Sequence, residues 1–273
     1  MSDKYLSCLK YQSHCSQLTL HELSRVWWCP TGPLSLLPIH AAGLYDATTS
    51  PGHKLSDFVV SSYTPTLSAL VKSRDQFSSK AFKLTIIAQP QTLPGTLEEY
   101  QIIKNRANSL TLLPLLGSAA TKESVMNCMK MSTWVHFAGH SVQDLQCPME
   151  SRLLLDDGGC LTLSDITRMS LPQAELAYLS SSCTAQGMEA LSEEAIHAAA
   201  GMLVAGYRGV IATLWSPEDK ACVDIADTVY AHLFKNQQPD CTQAAYALHF
   251  AAQRLREEGA PFLRWAPFVH FGV

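Results

Sequence analysis

Two short apolar runs end in residues able to do covalent chemistry. Thr133 to Phe137 (TWVHF) is followed by Ala138, Gly139, His140 and Ser141. Leu176 to Leu179 (LAYL) is followed by Ser180, Ser181, Ser182, Cys183 and Thr184. An imidazole and a hydroxyl or thiol on neighbouring strand ends supply a base and a nucleophile. The base removes or holds the nucleophile's proton while backbone N–H groups bind the developing oxyanion. His140 precedes Ser182 by 42 residues and Cys183 by 43. Lone His and Cys residues near strand ends are more often ordinary packing. Spacing alone therefore leaves both readings open, and it leaves the nucleophile open between Ser182 and Cys183.

Such a pair needs strands to carry it. Arg25 to Cys29 (RVWWC), Leu84 to Ala88 (LTIIA) and TWVHF are short apolar runs flanked by Pro, Gly or Ser, the pattern of strands buried on both faces. Leu176 to Leu179, Gly209 to Trp215 and Phe268 to Phe271 are the remaining strand candidates. Helical patterns lie between them. Thr96 to Leu110 and Lys122 to Met131 each have a capping Thr and an acidic first turn. Ser192 caps an Ala-rich segment that ends at Gly206, and Asp219 to Asn236 and Thr242 to Glu258 complete the set. Strands alternating with helices predict a mainly parallel sheet covered on both faces, with sites at the carboxyl ends of its strands. The Ser-, Thr- and Pro-rich stretch from Ala41 to Val71 reads as a surface excursion.

Composition excludes several classes. The 273 residues are 47% hydrophobic and 16% charged, with mean hydropathy +0.03, as in a globular chain. A net charge of −4 argues against a nucleic-acid footprint, and no apolar run approaches the ~20 residues of a membrane span. There is no signal-peptide pattern, so an intracellular, cytoplasmic protein is expected. Nine cysteines without a CxxC pair fit reduced thiols better than disulfides or structural zinc. His197, His232 and His249 have no metal spacing such as HExxH, and the GSAAT segment lacks the phosphate-loop order; no metal and no cofactor is expected. Trp27, Trp28 and Trp265 read as core anchors, and His136 as a core residue.

WVHFAGHS resembles the HFAxH(G/S) block of CHAT domains, caspase- and separase-like peptidase modules often found behind tetratricopeptide arrays. Further blocks agree in order: WWCPTGPLSLLPIHAAG, FVVSSYTPTLSAL, AQPQTLPGTLEEYQIIKN, and the tail from AYLSSSCTAQG through GMLVAGYRGVIATLWSPEDKA to WAPFVHFG. The resemblance runs from about Arg25 to Val273, and EEAIHAAAGMLVAGYRGVIATLW looks most like fungal members. Residues 1–24 then read as a linker or residual helix, and 25–273 as the peptidase domain. The implied fold is a caspase-like three-layer α/β sandwich. The implied activity is that of a cysteine endopeptidase with a Cys/His dyad, acting on a protein or peptide substrate. An upstream tetratricopeptide-type domain is the implied regulatory partner; neither nucleic acid nor a membrane is.

The same resemblance assigns residues. His140 is the base; the backbone N–H groups of Ser141 and of the nucleophile residue are the oxyanion donors. The His-to-nucleophile spacing is near the ~50 residues quoted for caspases. The family's nucleophile block reads LSAC, any residue, then Thr. Here Thr184 follows Cys183 directly, so an ungapped match puts Ser182 where the cysteine stands. Three readings follow: Ser182 replaces a native Cys by design, the protein has lost its thiol naturally, or Cys183 serves through a one-residue shift. A hydroxyl is a poor substitute in a site tuned for a thiolate–imidazole pair. Trp215, Glu218 and Asp219 fall where caspase-like folds wall the substrate pocket, although Asp219 would also suit a helix cap. Asp156, in LLLDDGG, could shape the cleft or simply make the turn before Gly158. The rival class is a non-catalytic interaction module. An α/β-hydrolase is a distant third, since there is no GxSxG elbow.

Overall fold

The computed structural model describes residues 23–45, 52–74, 81–142, 144, 146–183 and 194–273. Its strands are β1 (Ser24–Trp28), β2 (Val59–Tyr63), β3 (Leu84–Ala88), β4 (Leu112–Leu116), β5 (Trp134–Val142), β6 (Arg152–Leu154), β7 (Cys160–Thr162), β8 (Leu176–Cys183), β9 (Gly209–Thr213) and β10 (Phe268–Gly272). Its helices are α1 (Leu67–Arg74), α2 (Gly95–Ala107), α3 (Lys122–Met131), α4 (Leu163–Arg168), α5 (Glu194–Ala205), α6 (Asp219–Leu233), α7 (Ala244–Glu257) and α8 (Phe262–Trp265). Residues 1–22 of the expected leading segment and the Ser192 cap lie outside the described residues, and Ser24 already belongs to β1.

The sheet runs β1-β2-β10-β9-β8-β5-β3-β4, and the β6–β7 hairpin extends from β5. All neighbours along this path are parallel except β10 and β9. The block β9-β8-β5-β3-β4 therefore runs opposite to β1, β2 and β10. Strand alternation sorts the core into two layers. Val135, Phe137, Ala177 and Leu179 pack with Val125 and Met129 of α3, Ile166 of α4 and Met202 of α5. Trp134, Tyr178, Ile86 and Ile211 pack with Ile103 of α2, Ile225 and Val229 of α6, and Ala247 and Ala251 of α7. This three-layer α/β arrangement is the expected one.

Three differences from the sequence reading have physical causes. The expected excursion contains a strand, β2, and a helix, α1. The serines of β2 disguise it because each is partnered inside: Ser62 Oγ bonds Arg25 Nε at 3.0 Å and His270 Nδ1 at 3.1 Å, and Ser61 Oγ accepts from Trp28 Nε1 at 3.0 Å. Pro114 hides β4, yet the strand lies at the sheet edge, where a missing N–H is tolerated. The strands carrying the site are longer than expected: β5 continues to Val142 and β8 to Cys183. The Gly- and Ser-rich residues read as loop openings lie within the ladder.

Candidate active site

β5 and β8 pair in parallel, with His140 opposite Ser182 and Ser141 opposite Cys183. Directly opposed residues of neighbouring strands share a face and lie ~4.8 Å apart along the hydrogen-bonding direction. Trp134 and His136 face the α2/α6 layer, and so, by the two-residue repeat, does position 140. On β8 the same layer receives Leu176, Tyr178 and Ser180. Beyond Cys183 the chain leaves the described residues until Glu194.

Below this pair, on the same face, lies a buried polar cluster. Glu99 of α2 is 2% exposed; its Oε1 accepts from Ser180 Oγ at 3.1 Å, and its Oε2 lies 3.2 Å from His136 Nε2. The second pair is close but misaligned, so neither atom makes a hydrogen bond there. His136 Nδ1 meets the Tyr230 hydroxyl at 3.1 Å. Burial first, and then the Glu99 carboxylate, push the Tyr178 and Tyr230 phenols well above their ordinary range. His136 is thus the core histidine expected of it, with a carboxylate the sequence reading did not single out.

A small surface niche opens beside Ser180, lined by Leu93, Thr96, Glu99, Asp219 and Cys222 among others. Glu99 is its buried acid, and exposed Asp219 stands at its edge against Gly95. Cys222 is no rival nucleophile. Burial, with Glu99 next in weight, pushes its thiol up to about 12. Glu99 and Ser180 were legible only in part. Glu99 reads as an ordinary acid in a helix's first turn, whereas Ser180 stands two residues before position 182.

The other expected residues are distributed around this centre. Asp219 lines the niche and is the first residue of α6 rather than its cap; Glu218 holds the N-cap position without a side-chain cap bond and pairs with Arg264 at 3.3 Å. Trp215 is half-buried between both core layers, and its indole N–H has no partner among the described residues. Asp156 sits apart, its Oδ2 buried 3.7 Å from where a Cβ on Gly117 would lie at the end of β4. Ser141 is 3% exposed and flanked on both sides, by Cys183 of β8 and Leu153 of β6. Among the described residues no three His, Cys, Asp or Glu side chains could hold a metal ion, and no helix is long and apolar enough to cross a membrane.

A model of the CHAT domain matches residues 11–273. No functionally curated protein matches the chain. Among solved structures, the Arg-specific cysteine proteinase gingipain R is similar, with a TM-score of 0.54 at 8% identity over 92% of this chain and 63% of that one. The complex of Porphyromonas gingivalis RgpB pro- and mature domains gives 0.52 at 8% identity, covering 92% of this chain and 64% of that one. The Saccharomyces cerevisiae separase–securin complex gives 0.52 at 14% identity, covering 80% of this chain but 14% of that one. At these identities the likeness is one of fold.

Proposed function

This chain belongs to the CHAT domain family, and we propose that its site is that of a caspase-like cysteine endopeptidase, with His140 as base and position 182 as the nucleophile position. The observation that carries this reading is the β5–β8 register, which pairs His140 with Ser182. Cys183 is in register with Ser141 and not with His140, which speaks against a one-residue shift.

The chemistry requires a thiol at 182. The imidazole of His140 takes the thiol proton, and the thiolate attacks the scissile carbonyl carbon. The backbone N–H groups of Ser141 and position 182 bind the oxyanion. His140 then donates the proton to the leaving amine as the C–N bond breaks, leaving a thioester that water hydrolyses. The serine present here leaves the same apparatus with a hydroxyl it is poorly equipped to activate. The residue before the scissile bond lies against the edge of the niche beside Ser180, where the exposed Asp219 carboxylate, with Glu99 buried behind it, favours a basic side chain. The gingipain likeness, an Arg-specific proteinase by its description, is consistent with this preference.

A peptide library is the direct test. With Ser182→Cys, cleavage is expected after Arg or Lys, and Asp219→Asn is expected to weaken that preference. Cleavage confined to apolar residues would reject the acidic-niche assignment. A second reading, favoured by the serine itself, is a non-catalytic interaction module. Loss of all cleavage in a folded Ser182→Cys protein supports the module.

A further inference from the structure

Gln89 follows β3 directly, and its side chain fills a gap in the sheet. The edge of β5 that faces β3 is paired with β3 from Trp134 to Ala138, and with β6 at Ser141 and Val142. Gly139 and His140 fall between these two partners. The Gln89 amide, on a residue only 2% exposed, occupies this interval. Its Oε1 accepts from the backbone N–H of His140, and its Nε2 donates to the Leu154 carbonyl at 3.0 Å. One carbonyl and one N–H thus take the place of a peptide unit of the missing strand. Gln89 is itself anchored: its N–H donates to the Ala138 carbonyl at 3.2 Å, and its carbonyl accepts from Leu93 at 3.0 Å. Gly139 provides the room. A Cβ added there would collide with Gln89 Oε1 and lie 2.8 Å from its Cδ.

We infer that Gln89 is a positioning residue for His140, locking the backbone that presents the base and fixing the β6–β7 hairpin against it. This inference rests on the reading of His140 as the base. The hairpin matters because Leu153, next to Leu154, pairs with Ser141, the residue after His140. Both halves of the amide are needed. A carboxylate at 89 keeps the acceptor for His140 but cannot donate to Leu154, and Leu keeps neither function.

Amide hydrogen exchange, followed by NMR on the chain as it stands, tests the clamp without requiring activity. Gln89→Leu is expected to speed exchange at the His140 amide about tenfold relative to core amides of β3. Gln89→Glu is expected to leave His140 protected while the hairpin amides, such as Leu155, exchange faster. Unchanged exchange at His140 in Gln89→Leu overturns the clamp. If Gln89→Leu does not fold, Gln89→Glu decides: hairpin exchange equal to that of the parent overturns it.

The positioning role has its own readout, the pH profile of iodoacetamide alkylation of the thiol introduced by Ser182→Cys. Gln89→Leu should move its midpoint upward toward that of an ordinary thiol, and Gln89→Glu should restore it. Faster His140 exchange with an unmoved profile overturns the positioning role. A profile that His140→Ala fails to move instead overturns the reading of His140 as the base, while the exchange result stands by itself.

Discussion

Glu99 is a carboxylate almost entirely withdrawn from water, held by Ser180 and facing His136. A buried acid is tolerable only while its partners remain, and removing one partner of a buried pair costs roughly 3–5 kcal/mol. Glu99→Ala leaves Ser180 without its acceptor and His136 without the carboxylate beside it, and opens a hole beneath Ser180. A loss of that size is expected in urea denaturation, with a smaller one for Glu99→Gln, which keeps an oxygen for Ser180. A change within ~0.5 kcal/mol of zero would show that this cluster does not hold the site's floor. The facing positions of His140 and Ser182 on neighbouring parallel strands were legible in the sequence because each follows a recognisable apolar run. Glu99 was not, because an acid in the first turns of a helix has an ordinary explanation, and only the fold carries it under β8.

The strands show where local pattern suffices and where it does not. LTIIA is buried throughout and was read with the same bounds it has in the structure, Leu84–Ala88. Lys122–Met131 was equally plain, since Thr121 and Ser124 form a reciprocal cap at its start. What escaped was pairing-dependent structure. β2 relies on hydroxyls whose partners are 37 and 208 residues away, and the far ends of β5 and β8 are strand only because they pair with one another and with β6. Caps, by contrast, are local and testable. Thr162 Oγ1 accepts from the Asp165 amide at 3.0 Å, and the Asp165 carboxylate returns the bond to the Thr162 N–H at 3.0 Å. Thr162→Ala is expected to destabilise the protein by about 0.5–2 kcal/mol. Since Lys122 also pairs with Asp165 at 2.6 Å, Asp165→Ala should loosen α3 and α4 together, visible as faster amide exchange in both helices. An effect confined to α4 would deny that link.

At the scale of the molecule, histidines withdrawn from water set an acid limit: His270 of β10, which burial and then Arg25 hold well below the ordinary range, and the half-buried His40 and His249. Burial lowers His40 to about 4, opposed by its bond to the Ala266 carbonyl and assisted by His249. Burial also lowers His249 to about 4, assisted by Arg256 and opposed by Asp57. Above pH ~6.5 both are neutral whether folded or unfolded and contribute nothing to pH dependence. Between ~6.5 and about 4 the unfolded chain takes up protons that the folded chain refuses, so stability falls as pH falls across that window. Each should contribute on the order of 1–3 kcal/mol of this loss. Urea midpoints at pH 7 and pH 4.5 should therefore differ less in His249→Gln than in the parent; an equal difference would assign the acid sensitivity elsewhere. The sheet also sets β5 beside β8, and the proposed chemistry depends on that pairing. In that chemistry, position 182, opposite His140, is the nucleophile position of a peptidase. The decisive measurement is turnover of an Arg- and Lys-containing peptide library by Ser182→Cys, alone and with His140→Ala. Cleavage by the single variant, reduced at least ~100-fold in the double variant, is the predicted result. A folded Ser182→Cys protein that cleaves nothing, or one whose cleavage survives His140→Ala, would contradict it.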